Sequence, residues 1–141
     1  MKSFTTKMTI AAAALMAAAG MASAQTMKAE IPFSFAAGGA VLAPGGYDVT
    51  LLTYTSGTRL LQIRNSDTHK TILAMPFMPA EPPKEWNAGE GKLSFECGAS
   101  QCNLVEAWSG QPGYASYKFS SPKKNEPRHL AVIVMRSEKG E

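Results

Sequence analysis

FECGASQCNL, residues 95–104, holds the chain's only two cysteines, Cys97 and Cys102. Two such thiols make a redox centre, half of a metal site or a structural clasp. A redox pair usually has two residues between its cysteines, at a helix start that lowers the thiol pKa. Here four intervene, with no cation beside them. Zinc needs two more ligands, and His69 and His129 are the only histidines. Pairing Cys97 with Cys102 across a turn sets Phe95 opposite Leu104 and Leu93 opposite Glu106. The same register puts Leu93, Phe95, Cys97, Cys102, Leu104 and Trp108 on one face, and Lys92, Ser94, Glu96 and Asn103 on the other. Opposed residues of an antiparallel pair have Cα atoms ~4.5–5.5 Å apart, within disulfide range. Register and pattern agree, which favours a disulfide clasping a β-hairpin.

The other reactive side chains are dispersed. No G-x-S-x-G elbow occurs, and His69 and Asp67 fall in the polar turn NSDTHK, where a turn-forming Asp explains the residue. Glu106 is the one acid expected to share an apolar face, between Leu104 and Trp108. A carboxylate there is either a functional buried acid or, more simply, a rim residue or one rotated outward by a bulge. Aromatic residues are the remaining lead. Trp86 lies in a proline-rich stretch, and Trp108, Tyr114 and Tyr117 cluster after the cysteine hairpin. Core packing explains Trp108 and Tyr117, whereas exposed rings stack on sugars or anchor a partner. Trp86, Trp108, Tyr114 and Glu106 are therefore the candidate ligand contacts. The residues suggest no catalytic group, metal or cofactor, and a chain that is not an enzyme.

The elements that must carry these side chains are short and alternating. AEIPFSF sets Ile31, Phe33 and Phe35 against Glu30 and Ser34, the period of a half-buried strand. Pro32 lacks an N–H and places that strand at an edge or a bulge. Pro44-Gly45-Gly46 forms a turn into GYDVTLL, completing a hairpin. TRLLQIRN and TILAMPF flank the NSDTHK turn. Four prolines between residues 76 and 83 make residues 76–91 a long irregular loop. KLSFEC, CNLVEAW and GYASYKFSS follow. HLAVIVMRS is apolar on both faces, which suggests a central strand covered on both sides. The expected fold is all-β: an antiparallel sandwich or small barrel of about eight strands.

The chain begins with Lys2 and Lys7, a charge-free run from Met8 to Ala22, and the small residues Ala22-Ser23-Ala24. That is the pattern of a cleaved signal helix over residues 1–24, leaving one β-domain over 25–141. The run is shorter than the ~20 residues of a spanning helix. Of the 14 basic residues, cleavage removes Lys2 and Lys7, leaving 12 against 11 acids. A near-neutral chain of interspersed charge gives no electrostatic case for nucleic acid. Lys123-Lys124, with Arg128 nearby, reads as a solvated loop.

IPFSFAAGGAVLAPGGYDV resembles the opening of small secreted bacterial proteins numerous in acidobacterial genomes. These show Pro-Phe-x-Phe after the signal, then a Leu-Pro-Ala-Gly-x-Tyr-x-Val segment. LLQIRN, KLSFE and VEAWSG are similar to the family's middle and end. LAPGGYDV departs from the pattern by moving the proline one position. The resemblance implies a secreted all-β domain and carries over no catalytic residue. Family members usually lack cysteines at this hairpin, so a dithiol role would be peculiar to this chain. Taken together, the sequence suggests a periplasmic or extracellular, non-enzymatic binding or structural module of the envelope, with a protein or glycan partner. The alternative is a carbohydrate-active or carbohydrate-binding accessory protein working through loop aromatics.

Overall fold

The alternating segments become strands in the computed structural model, which describes residues 23–122 and 126–137. Chain order is β1 (Ser23–Ile31), β2 (Phe35–Ala37), β3 (Ala40–Leu42), β4 (Gly45–Thr53), β5 (Arg59–Asn65), β6 (Thr71–Ala74), β7 (Met78–Ala80), β8 (Gly91–Cys97), β9 (Cys102–Trp108), β10 (Ser116–Lys118) and β11 (His129–Ser137). They form one mixed sheet in the order β3-β2-β9-β8-β11-β1-β4-β5-β6, with β10 joining β9 to β7. The sheet curls into a nearly closed barrel, so the all-β expectation holds. Two details differ from it. The pairing is not wholly antiparallel, because β2 runs parallel to β9, Phe35 beside Cys102. Strands also outnumber the expected eight, since β2, β3, β7 and β10 are three residues each, too short to show a period.

Most of the expected leader, residues 1–22, and the Lys123-Lys124 pair lie outside the described residues. Cleavage after Ala24 would remove the first two residues of β1 and leave Gln25–Ile31 paired with β4. Among the described residues no helix is long and apolar enough to cross a membrane.

Pro32 ends β1 instead of sitting within a longer strand. Its missing N–H cannot continue the ladder, and the chain crosses there from β1 to the far side of the barrel. Gly38 and Gly39 then close β2 onto β3 with φ of 59° and 79°, the two positive values that a tight hairpin turn requires. Ile31 and Phe35 point inward and are buried, as their spacing suggests. Phe35 packs edge-on against Tyr47 and Phe95, each with ring centroids 5.3 Å away, and Phe33 against Phe95 at 5.1 Å. These four rings tie β2, β4, β8 and the crossing segment together. The buried Tyr47 hydroxyl donates to the Ala43 carbonyl at 2.5 Å, so the ring brings no unpaired polar group inside.

β11 lies between β8 and β1 but is covered on one side only. Ala131, Ile133 and Met135 face the core, while Leu130, Val132 and Val134 are 64%, 43% and 47% exposed. The expectation of a strand covered on both faces is corrected here. No other element of the described chain packs over the barrel's outer surface at this strand.

Candidate ligand cleft

The cysteine hairpin forms as the register suggests at its tip: Cys97 and Cys102 are opposed and disulfide-bonded. A disulfide fits folding in an oxidising, exported compartment. Residues after β10 hold the tip. Arg128 donates to Glu96 at 2.7 Å and to the Pro122 carbonyl at 2.8 Å, and Glu126 accepts from the Ala99 N–H at 2.9 Å. Its sulfurs are bonded to each other and its turn is strapped by Arg128 and Glu126. Denatured, unreduced protein should show no free sulfhydryl on thiol titration. The Cys97→Ser/Cys102→Ser double variant should lose about 2 kcal/mol of stability, the chain-entropy value for so small a loop; an unchanged urea midpoint would refute the clasp.

Further down the same hairpin the register shifts. Phe95 pairs with Leu104, but Ser94 pairs with Glu106 and Leu93 with Ala107. Val105 is the extra residue of a β-bulge. Because side-chain direction alternates every residue, one insertion turns everything beyond it to the other face. Leu93 therefore keeps Ala107 as its inward partner, while Glu106 and Trp108 join Lys92 and Ser94 outside the barrel core. This corrects the expected placement of Trp108 beside Leu93 and Phe95.

The outer face so created is nonetheless buried, because β7, β10 and the proline-rich segment cover it. Trp86 stacks on Trp108 with centroids 6.1 Å apart and planes 23° from parallel. Lys92 Nζ stands 6.0 Å from the same ring and reaches the Glu90 carboxylate at 3.4 Å. The Ser116 hydroxyl, fully buried, donates to Glu106 at 2.5 Å and lies 3.2 Å from the Ala80 carbonyl. Of the candidate ligand contacts, Glu106 and Trp108 are thus enclosed, with 9% and 5% exposure. Trp86 is half-buried, and Tyr114 alone stands out at 63% exposed.

Trp108 has a second partner. Its indole N–H donates to the Tyr114 carbonyl at 2.9 Å. Tyr114 closes a turn, its N–H donating to the Gln111 carbonyl at 3.2 Å. Pro112 and Gly113 occupy the turn's centre, and Gly113 has φ 81°, the Pro-Gly pattern of a type II turn. The buried indole and this turn fix where Tyr114 and Gln111 stand.

They stand at the rim of a cleft of about 520 Å³. Met27 and Leu51 contribute its apolar lining. Thr53 and Arg59 line it from the β4–β5 hairpin, and Ser109, Gln111 and Tyr114 from the loop after β9; Tyr117 of β10 completes it. The Arg59 guanidinium lies 5.5 Å over the Tyr117 ring. It forms no ion pair or hydrogen bond with the described residues, and no carboxylate lines the cleft. No protein family, curated protein or solved structure matches this chain. The cleft has to be judged by its chemistry. It offers a planar cation with unused N–H donors, an exposed aromatic ring, and hydroxyl and amide groups over an apolar floor.

Two neighbouring concavities share the cleft's walls, one at Arg59 and Tyr117 and one at Tyr114 and Glu81. Another at the barrel seam, about 350 Å³, is lined by small residues of the β2–β3 hairpin and Ala74 on one side and by Gln101, Asn103, Phe119 and Ser120 on the other, and has no charged side chain. His69 holds φ 65° in a turn whose Asn65 carboxamide oxygen accepts from the Asp67 and Thr68 N–H groups, both at 2.8 Å. The side chain that builds this turn is Asn65 and not, as expected, Asp67, which contributes its backbone N–H. His129 is exposed at the start of β11. Among the described residues no three His, Cys, Asp or Glu side chains come together to hold a metal ion.

Sequence reasoning missed Arg59 and favoured core packing for Tyr117. Arg59 looks like an ordinary strand-end cation. Only the sheet order, which brings the β4–β5 hairpin opposite β10, makes the two neighbours.

Proposed function

We propose that the protein is an exported, non-enzymatic β-domain that binds a ligand or partner in the periplasm or outside the cell. The observation that carries this reading is the cleft at Arg59 and Tyr114. It is held in shape by Trp108 and the Pro112-Gly113 turn, and it contains no nucleophile paired with a base. Binding sites are concave and mostly pre-formed, with a few convergent polar groups, and this cleft is of that kind. The signal-like start, the disulfide and the resemblance of the opening strands to small secreted bacterial proteins support the compartment.

The purified, oxidised protein should bind within an array of envelope polysaccharides, peptidoglycan fragments and peptides. Tyr114→Ala should weaken that binding at least tenfold, and the ligand should be recovered chemically unchanged by mass spectrometry. A cleaved or modified ligand would overturn the non-enzymatic reading. Binding that Tyr114→Ala leaves intact would move the site elsewhere. The carbohydrate-binding reading has its own support, because Tyr114 presents an exposed ring beside hydroxyl-binding groups. Trp86 supports it less, since one face of its ring is occupied by Trp108.

A further inference from the structure

We propose that the cleft recognises a carboxylated sugar, a uronic acid residue within a glycan. This inference rests on the binding-module reading and names its ligand class. Its first ground is Arg59. A guanidinium presents N–H donors in a plane that matches both oxygens of a carboxylate, and this one has no partner among the described residues. Its position over Tyr117, 5.5 Å from the ring centroid, restrains it by a cation–π contact that leaves the edge of the group available.

The second ground is the rest of the lining. Thr53 and Ser109 bring hydroxyls and Gln111 a primary amide that makes no side-chain hydrogen bond among the described residues. Groups that both donate and accept suit sugar hydroxyls. Tyr114, 63% exposed, offers a flat apolar face for the C–H side of a pyranose. Its backbone is anchored by Trp108, so the main chain beneath the ring does not have to be ordered on binding.

The third ground is charge. Arg59 is the only cation in the lining and no acid opposes it. One guanidinium matches one carboxylate. A phosphate would call for a second cation or a nest of backbone N–H groups, and the cleft shows neither. The volume, about 520 Å³, lies within the range of roughly 300–1,000 Å³ usual for small-molecule sites.

The test uses oxidised, ¹⁵N-labelled protein titrated with trigalacturonic acid, with its methyl ester, and with acetate and inorganic phosphate. Trigalacturonic acid should shift the amide signals of Thr53, Arg59, Gln111 and Tyr114 saturably, at least tenfold more tightly than the uncharged ester. Arg59→Gln should reduce the acid to the ester's affinity. Arg59→Lys should fall between, because an ammonium keeps the charge and loses the planar fork. The Arg59 side chain is exposed and makes no hydrogen bond among the described residues, so these variants should fold, as circular dichroism will check. Equal affinity for acid and ester, unchanged in Arg59→Gln, would overturn the carboxylate inference and leave the binding-module reading in place. Acetate or phosphate binding as tightly as the trisaccharide would overturn it in favour of a bare anion site. No shift at these residues with either trisaccharide would overturn it too, and the array experiment would then decide whether the cleft binds another ligand class.

Discussion

Phe95→Ala should lower the free energy of unfolding by about 3–5 kcal/mol, the range for deleting a fully enclosed aromatic ring. Phe95 has no solvent exposure. Its ring meets Phe33 and Phe35 edge-on, and Phe35 passes the contact on to Tyr47. The cost has two parts, the lost burial and the cavity left behind. The second part should be large here. Phe35 is held by pairing to both β3 and β9, and Phe95 itself by β9 and β11, so the walls have little freedom to collapse inward. Phe95 also sits at the register shift between Ser94 and Phe95. Its loss should loosen the bulge that turns Glu106 and Trp108 outward. Urea unfolding of oxidised protein, followed by tryptophan fluorescence and circular dichroism, measures the loss. Leu130→Ala is the control: Leu130 is 64% exposed on the open face of β11 and should change stability by no more than about 0.5 kcal/mol. A Phe95→Ala loss below about 1 kcal/mol, or a Leu130→Ala loss comparable to it, would mean that the four-ring cluster is not the centre of the core.

Local period carries the fold class, and it carries it best where strands are long. Tyr47 and Val49 in β4 and Leu61 and Ile63 in β5 alternate in the sequence and are buried as their spacing suggests. The hairpin tip is legible because the cysteines pin its register. The sequence allows a bulge that turns Glu106 outward, as the structure has it; the bulge's consequence for Trp108, and any pairing with a distant partner, are not legible. Val105 carries no mark that it will be the extra residue of a bulge, since Val suits a strand, yet it decides which face Trp108 occupies. Pairing of Phe35 with Cys102 joins segments far apart in sequence and runs parallel, so no turn residue announces it. β7 hides in the proline-rich segment because an edge strand tolerates Pro79. Leu130, Val132 and Val134 suggested a covering layer that the described chain does not supply. Apolar residues are inside by tendency only, and much of any folded surface is apolar. Tyr114 was legible as a candidate because it clusters with Trp108 and Tyr117 after the cysteine hairpin. Arg59 was not, because its meaning comes from Tyr117 across the sheet.

Gly110→Ala should cost on the order of 2–4 kcal/mol, from backbone strain together with a steric conflict that cannot relax, and should also weaken ligand binding in the cleft. Gly110 has φ 86°, where a side chain is disfavoured. A Cβ there would stand 2.5 Å from the Glu90 carbonyl carbon and 2.7 Å from both its oxygen and the Gly91 nitrogen. All three are backbone atoms, so no rotamer change makes room. The Gly110 carbonyl accepts from the Gly89 N–H at 2.7 Å, which docks the loop after β9 onto the start of β8. Relief can come only by lifting that loop, and the loop carries Ser109, Gln111 and the turn beneath Tyr114. Stability and binding should therefore fall together. Gly113→Ala separates the two causes. Gly113 has φ 81° but a Cβ there would meet nothing within 4 Å. It should pay the conformational term alone, about 1–2 kcal/mol. Unfolding midpoints and cleft affinities of both variants, measured side by side, check the argument. Equal losses would mean that backbone conformation, and not the docking of the loop on β8, holds the rim of the cleft in place.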